Sequence, residues 1–329
     1  MAAFSLIVAI LCSAIIQSIP LLYGATGEIL TEKSGHLNLG IPGIMYMGGI
    51  SGVIGAYIYE KSVTVPNPFW SIFVALMSAL IGSGLLALIY SFLTVTLRAN
   101  QNVTGLAITT FGTGFGDFFG GSLTKIMGDG GNLQLAATPK FFKASLPFAN
   151  DLGPIGKLLF SYGFLTYLAI VIAIVAAIFL KRTRAGLHLR AVGENPATAD
   201  AAGINVSAYK YGSTIIGSVI AGLGGLYYVM DYADGVWSND GFGDRGWLAI
   251  ALVIFAVWKP NIGILGSFLF GGLLIIHNYI PNLSLSAQEL FKMAPYLVTI
   301  IVLVVISMKR KRENLPPQSL GLSYFREER

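Results

Sequence analysis

Between Lys157 and Lys181 the chain reads LLFSYGFLTYLAIVIAIVAAIFL (158–180), a run without a charged side chain. Roughly 20 apolar residues carry a helix across the hydrocarbon core of a bilayer, so this stretch predicts a transmembrane helix. Runs of the same kind lie on both sides of it. They are Met1 into Tyr23, Leu39 to Tyr59, Phe69 to Leu97 and Val103 to Gly120, then Tyr211 to Met230, Trp247 to Trp258, Ile262 to Ile280 and Met293 to Met308. The hydropathy rule thus predicts an all-α polytopic membrane protein of about nine transmembrane helices. Trp247 to Trp258 is short for a full crossing, and the run from Phe69 is long enough to hide a break.

Composition agrees with that class. Of 329 residues, 54% are hydrophobic and only 11% charged, against about 25% charged in a soluble domain. The 40 glycines show no three-residue period and suit closely packed membrane helices. The single cysteine, Cys12, excludes a disulfide framework and a cysteine-based metal cluster. The net charge of +5 sits at span boundaries, which argues for membrane lipid and against nucleic acid as the partner of those charges. No basic residue precedes Glu28, so the first run lacks the n-region of a cleaved signal peptide.

Lysine and arginine set the orientation. With nine spans and a cytoplasmic C-terminus, the inside holds Lys33, Arg98, Lys181, Arg182, Arg184, Arg190, Lys210, Lys259, the Lys309–Arg312 cluster, Arg326 and Arg329. The outside holds Lys61, Lys125, Lys140, Lys143, Lys157, Arg245 and Lys292, roughly half as many. The N-terminus is then external. The chain forms one membrane domain (1–329), with external loops at 121–161 and 231–246, a cytoplasmic loop at 181–210 and a cytoplasmic tail at 309–329. Asp231, Asp234, Asp240 and Asp244 collect in the second external loop.

Small residues recur at helical spacing in Gly112, Gly116 and Gly120, and again in Gly217, Ala221 and Gly225. Each set lies on one helix face and predicts close packing against a neighbour. The polar loop reads KRTRAGLHLRAVGENPATADAAGINVSAYK (181–210). Asn195 suits an N-cap, Pro196 the first helical position, and Gly203 a left-handed stop after Ala197–Ala202. A short rigid helix between two spans suits a part that receives force from another protein. An ordinary charged loop orienting its flanking helices fits the spacing equally well.

Two blocks resemble a known family. RAGLHLRAVGENPATADAAGINV (184–206) is similar to the cytoplasmic loop of the permeases of branched-chain amino acid, ribose-type sugar and nucleoside ABC importers. GEILTEKSGHLNLGIPGIMYMGG (27–49) resembles the same family's N-terminal signature, closest in look to nucleoside permeases that work with binding lipoproteins of the basic membrane protein type. NQNVTGLAITTFG (100–112) and FAVWKPNIGILGSFLFGG (255–272) fall where that family has similar blocks. The resemblance implies two inverted halves, as in vitamin-B12-type importers, with a cytoplasmic coupling helix between them. Coupling to the ATPase would rest on Arg190, Gly193, Glu194, Asn195, Pro196, Ala199 and Gly203. It also implies three partners: an ABC ATPase with two nucleotide-binding halves, a second and longer permease subunit, and a solute-binding lipoprotein or periplasmic protein. Sugar permeases of this superfamily carry an extra helix before the first signature, and the resemblance implies that this chain does without it. No GxxxxGK[ST] loop is present, so ATP binds elsewhere. The implied place is a bacterial plasma (inner) membrane, with no cofactor. The implied solute is a nucleoside, with riboflavin, simple sugars and branched-chain amino acids behind.

Polar residues at membrane depth are the candidates for the solute path. Around Gly35, Gly40 and Pro42 stand Glu28, Thr31, Glu32, Lys33, Ser34, His36 and Asn38. Broken helices line cavities, but a cytoplasmic turn with solvated charges fits Glu32, Lys33 and His36 more naturally. Glu28 and Asn38 fit either reading. Asn100, Gln101, Asn102 and Thr104 open a later helix, and uncharged groups such as Asn102 and Thr104 can hydrogen-bond a base or a sugar. Phe111, Phe115, Phe118 and Phe119 can stack a flat solute or simply face core and lipid. Asp117 reads as a boundary residue and His277, beside Asn278, as packing. The candidate path is therefore Glu28, Asn38, Asn102, Thr104 and Phe111. A secondary transporter needs ion-coupling carboxylates near the midplane, and only Asp117 comes close. An enzyme needs a clustered nucleophile and base, and none of the three histidines adjoins a membrane serine or aspartate in sequence.

Overall fold

The computed structural model describes residues 2–127, 133–145, 147–149, 153–309, 315–325 and 327. Arg310, Lys311 and Arg312 of the basic cluster, and Arg326 and Arg329, lie outside the described residues. Among those residues the fold is helical throughout, with one isolated β-bridge between Gln134 and Val236.

Seven helical segments are long and apolar enough to cross a membrane: Leu6–Glu32, Ile41–Ser62, Pro68–Thr96, Phe164–Arg182, Val206–Tyr232, Pro260–Tyr279 and Leu285–Val305. They contain α1 (Ala2–Glu32), α2 (Ile41–Ser62) and α3 (Pro68–Ser91). Between α3 and α7 (Phe164–Arg182) come α4 (Gln101–Ile126), α5 (Thr138–Phe142) and α6 (Gly153–Phe160). The polar loop holds α8 (Arg184–Glu194) and α9 (Pro196–Ala201) before α10 (Val206–Tyr227). The chain then forms α11 (Arg245–Phe255), α12 (Pro260–Ile275), α13 (Leu285–Lys292) and α14 (Ala294–Lys309).

Two further helices account for the remaining apolar runs. Helix α4 is 26 residues long, yet its six glycines and five threonines leave it too polar to count with the seven. Helix α11 has 11 residues, about 16 Å at 1.5 Å per residue, half of a hydrocarbon core. The stretch before it dips into the bundle: Trp237 and Phe242 join the main core, and Arg245 Nη2 donates to Gln17, midway along α1, at 3.0 Å. Arg245 is thus no free loop cation. Its guanidinium lies 4.7 Å from the Tyr228 ring and 5.2 Å from Tyr232. The run from Phe69 hides no break; α3 passes directly into a π-helical turn at Phe92–Thr96.

Helix α1 is central, lying against α7, α10, α11 and α12. Its approach to α10 is backbone on backbone, because a Cβ on Gly27 would overlap the Gly217 carbonyl. The small residues of α4 pack on one face, with backbone at Gly112 and aromatic rings at Gly116 and Gly120, whereas those of α10 divide between two neighbours. Gly112 meets Gly43 of α2, Gly116 meets Tyr46, and Gly120 meets Trp237. On α10, Gly217 faces α1 while Gly225 faces Met45 and Gly49 of α2. Burying opposed backbones is the usual source of helix association in lipid, where apolar side chains gain nothing by leaving the bilayer.

Helix α1 continues nine residues past Tyr23 and ends in an elbow where Gly35 adopts φ +76°. One end of the bundle gathers this elbow, the α3–α4 corner, α8, α9 and residues 315–325. The opposite end gathers residues 133–143 and the 231–246 loop, where the Glu60 carboxylate accepts the N–H groups of Ala136, Ala137 and Thr138 at 2.9, 3.2 and 2.7 Å. Lys143 pairs there with Asp234 at 2.9 Å.

Candidate functional site

The polar loop folds as its local chemistry requires. Thr183 caps α8 by accepting from the Gly186 N–H at 3.0 Å, and α8 ends at Glu194. Asn195 turns the chain and caps α9: its Oδ1 accepts from the Thr198 N–H at 3.0 Å, with Pro196 in the first turn. Such a cap contributes about 1 kcal/mol. Gly203 takes φ +82°, and the Ile204 N–H closes on the Ala199 carbonyl at 3.0 Å, a helix stop of the left-handed type. Ala199 is buried against Val192 and Val206, so the six-residue helix rests on a small core of its own. Arg190 and Glu194 are exposed. The preceding helix α8 was not anticipated, although its buried positions Gly186, Leu189, Val192 and Gly193 are spaced for one helical face.

Directly behind lies the elbow. Gly193 packs on the Lys33 and Gly35 backbones so tightly that it has no room for a Cβ, and a Cβ at Gly35 would meet the Ser319 hydroxyl first. Apart from Lys33, which is half-buried beside a cleft, the polar residues of this stretch are not a solvated turn. Glu28, Ser34, His36 and Asn38 have no exposed surface, and Glu32 is 3% exposed. Burial of these groups requires partners, and distant helices supply them. Glu28 Oε1 accepts from the Asn38 N–H at 3.0 Å, and Glu32 accepts from the Trp258 indole N–H. His36 lies between Thr214 (2.6 Å) and Thr94 (2.9 Å), with the Tyr90 ring 5.2 Å away. Burial, and after it the charge of Lys210, pushes the His36 imidazole down to about 3, so it is neutral at physiological pH. Glu28 Oε2 has no hydrogen-bond partner among the described residues. Buried carboxylates therefore do occur within α1, and their scarcity cannot be used against ion coupling.

Helix α4 has two faces. Gln101, Thr104, Gly105, Ile108, Gly112, Gly116 and Gly120 are buried. Gln101, rather than Asn102, makes the polar contacts: its Oε1 accepts from the Leu37 N–H at 2.8 Å and its Nε2 donates to the Leu322 carbonyl at 3.3 Å. Asn102, Leu106, Thr110, Phe111, Gly114 and Phe118 lie open on the other face. Of the expected path residues, Glu28 and Asn38 thus meet in the interior, Thr104 is on the buried face of α4, and Asn102 and Phe111 share the open face. Asp117 accepts from the Tyr46 hydroxyl at 2.6 Å near the opposite end.

Two clefts flank the α8–α9 unit. One, of about 840 Å³, is lined by Lys33, Lys181, Arg190, Glu194, Trp258 and Lys259 among others. Burial holds the Lys33 ammonium below its ordinary value, with Glu194 opposing and Arg190 and Lys259 reinforcing the shift. The other, of about 550 Å³, lies beside Asp200, Gly203, Asn205, Arg98 and Tyr324. Neither is lined by the five expected path residues. Among the described residues no group of three or more His, Cys, Asp or Glu is placed to hold a metal.

The sequence family described as the permease component of branched-chain amino acid transport systems matches residues 10–303. The nucleoside ABC transporter permease protein NupC of Lactococcus lactis subsp. cremoris is 32% identical over 321 residues, covering 96% of this chain and 96% of that protein. The guanosine ABC transporter permease protein NupQ of Bacillus subtilis is 32% identical over 301 residues, 88% of this chain and 89% of that one. The nucleoside ABC transporter permease protein NupB of the same Lactococcus is 32% identical over 98 residues, 30% of this chain and 27% of that protein. No solved structure matches the chain.

Proposed function

The chain belongs to the permease-component family of branched-chain amino acid transport systems, and from that membership we propose that it carries nucleosides inward as one permease subunit of an ATP-driven importer. It is a multi-pass protein of the plasma membrane and a transport protein, not an enzyme. The observation that carries the nucleoside reading is the 32% identity to a nucleoside permease along 96% of both chains. Membership implies an ATPase and a solute-binding protein as partners.

In this reading the seven long apolar helices, α4 and α11 make nine crossings, with the N-terminus outside and α9 in the cytoplasm. The alternation of the two bundle ends supports it, as does the excess of lysine and arginine on the α9 side. The capped helix docks on the ATPase, with Arg190, Glu194, Asn195 and Pro196 toward the partner and Gly193, Ala199 and Gly203 setting the shape that presents them. Its support is mechanical: a small rigid unit with its own core, set between α7 and α10 and pressed backbone to backbone on the elbow. The solute path follows the open face of α4. That face carries the open amide of Asn102, and Phe111 and Phe118 supply rings on which a base can stack. Glu28, Asn38 and Thr104 act from behind, fixing the elbow and the start of α4. A second, related permease covers the open face across the path. That one Lactococcus has two nucleoside permease proteins similar to this chain favours an unlike pair.

The test is reconstitution with the cognate ATPase, second permease and binding protein, followed by uptake of labelled guanosine, glucose and leucine. ATP-dependent uptake of guanosine, abolished by withholding ATP, is expected. Uptake of leucine alone, or uptake driven by an ion gradient without ATP, refutes the assignment.

A further inference from the structure

Residues 315–325, with Glu327, form a strap. It runs across the end of the bundle that holds α9 and binds every element gathered there. The Ser319 N–H and hydroxyl both donate to the Gly193 carbonyl, at 3.0 and 2.6 Å. That carbonyl belongs to the last turn of α8, where acceptors have no partner within the helix, so the strap satisfies what α8 leaves open. The Gly321 N–H reaches the Gly35 carbonyl of the elbow at 3.3 Å. The Leu322 carbonyl accepts from Gln101 of α4 and from the Lys210 ammonium of α10, each at 3.3 Å. Both donors are buried, at 2% and 3% exposure. The Tyr324 hydroxyl donates to Asp200 of α9 at 2.8 Å, and its ring packs on the Val192, Ala199 and Val206 core. Arg98, at the α3–α4 corner, lies 4.8 Å from the Phe325 ring and pairs with Glu327 at 3.3 Å.

A six-residue helix cannot fix its own orientation, since helical stability in proteins comes from packing. On one side α9 has the small core; on the other it has Tyr324. The strap is tied at six places, on α8, the elbow, α4, α10, α9 and the α3–α4 corner. We propose that the strap is part of the coupling machinery. Tyr324 and Ser319 are positioning residues that hold α9 and the end of α8 in one orientation and make the elbow and the start of α4 move with them. A displacement of α9 then reaches the α4 face along two parallel links, the Gly193–Gly35 backbone contact and the strap. This inference rests on the reading of α9 as the ATPase contact.

The experiment uses the reconstituted full complex and reads ATP hydrolysed per nucleoside imported. Tyr324→Phe removes the bond to Asp200 while keeping the ring in its core. A hydrogen bond to a charged acceptor biases an equilibrium by roughly tenfold or more, so Tyr324→Phe raises the ratio about tenfold and speeds amide exchange in α9 and in the elbow together. Ser319→Ala acts in the same direction. Asp200→Asn keeps an acceptor for the Tyr324 hydroxyl and retains most of the coupling. Glu194→Lys, in the α8–α9 unit itself, is the parallel arm. If Glu194→Lys uncouples and Tyr324→Phe does not, the strap inference is overturned and the α9 reading stands. If neither uncouples, the α9 reading itself fails. Failure of Tyr324→Phe to assemble would make the strap a folding element only, which also overturns the proposal.

Discussion

Replacing Gly203 with valine isolates the backbone of the capped helix from every other contact. Gly203 holds φ +82°, and a Cβ placed there meets nothing within 4 Å. Steric clash with neighbours therefore contributes nothing, and the whole cost is conformational. An L-residue in the left-handed region costs about 1–2 kcal/mol, with β-branched residues at the upper end. About 2 kcal/mol lowers the equilibrium constant for the closed stop, in which the Ile204 N–H meets the Ala199 carbonyl, by roughly 30-fold. Alanine should cost about 1 kcal/mol and asparagine a few tenths, since asparagine visits this region readily. The expected order of coupling is Gly and Asn near normal, then Ala, then Val. The assay is ATP hydrolysis in vesicles with and without loaded binding protein, alongside uptake. Val should lose the solute-stimulated fraction and uptake together while insertion and assembly persist, because the site is exposed and lies between α9 and α10. Transport by the valine variant at the unmodified rate, in an assembled complex, would refute the reasoning: the loop would be only a connector.

Other outcomes follow from the same geometry. With Cys12 replaced by serine, a cysteine at Asn195 should label only from the cytoplasm and one at Ser238 only from outside; inside labelling at Ser238 ends the nine-crossing arrangement. On α4, Gly112→Val should abolish the folded protein on size exclusion, because a Cβ at Gly112 overlaps the Gly43 backbone. Gly114→Val meets nothing within 4 Å, so it should fold normally yet slow uptake if the open face lines the path; normal uptake would move the path elsewhere. His36 gives a pH signature. Its value is about 3 when folded and 6.5 when free, so between those pH values the unfolded chain binds the extra proton. Its contribution to stability is full above about pH 6.5 and is lost as pH falls toward 3. The fall in Tm between pH 7.5 and 4.5 should be smaller in His36→Gln; an identical fall in both proteins would mean that His36 is not the sensitive group.

The parts of this protein legible in its sequence are those fixed by short-range physics. A charge-free run such as 158–180 declares a span because hydrocarbon excludes charge, although its first residues close α6 and the spanning helix starts only at Phe164. Asn195, Pro196 and Gly203 declare a capped helix because caps and φ angles are settled within a few residues. The small-residue face of α4 was legible for the same reason, since helical spacing alone puts Gly112, Gly116 and Gly120 on one side; on α10 the same spacing did not show that Gly217 meets α1 and Gly225 meets α2.

The fate of the polar residues was not legible, and the elbow shows why. Glu32, Lys33 and His36 look like a solvated turn, since charge beside glycine ordinarily means water. In the folded chain the partners of Glu32 and His36 come from Trp258, Thr94 and Thr214, up to 226 positions away. The strap is the same case, because LPPQSLGLSYF (315–325) carries no local signal of what it binds. Asn102 and Gln101 are neighbours of equal polarity, and only the rotation of α4 against the elbow buries one and opens the other. The sequence by itself thus determined which segments are apolar enough for a membrane and where the loop helix starts and stops, because transfer free energy and backbone dihedrals act locally. Only the tertiary structure decided which polar groups face the interior, because a buried donor or acceptor is tolerable only where a distant chain segment brings its partner.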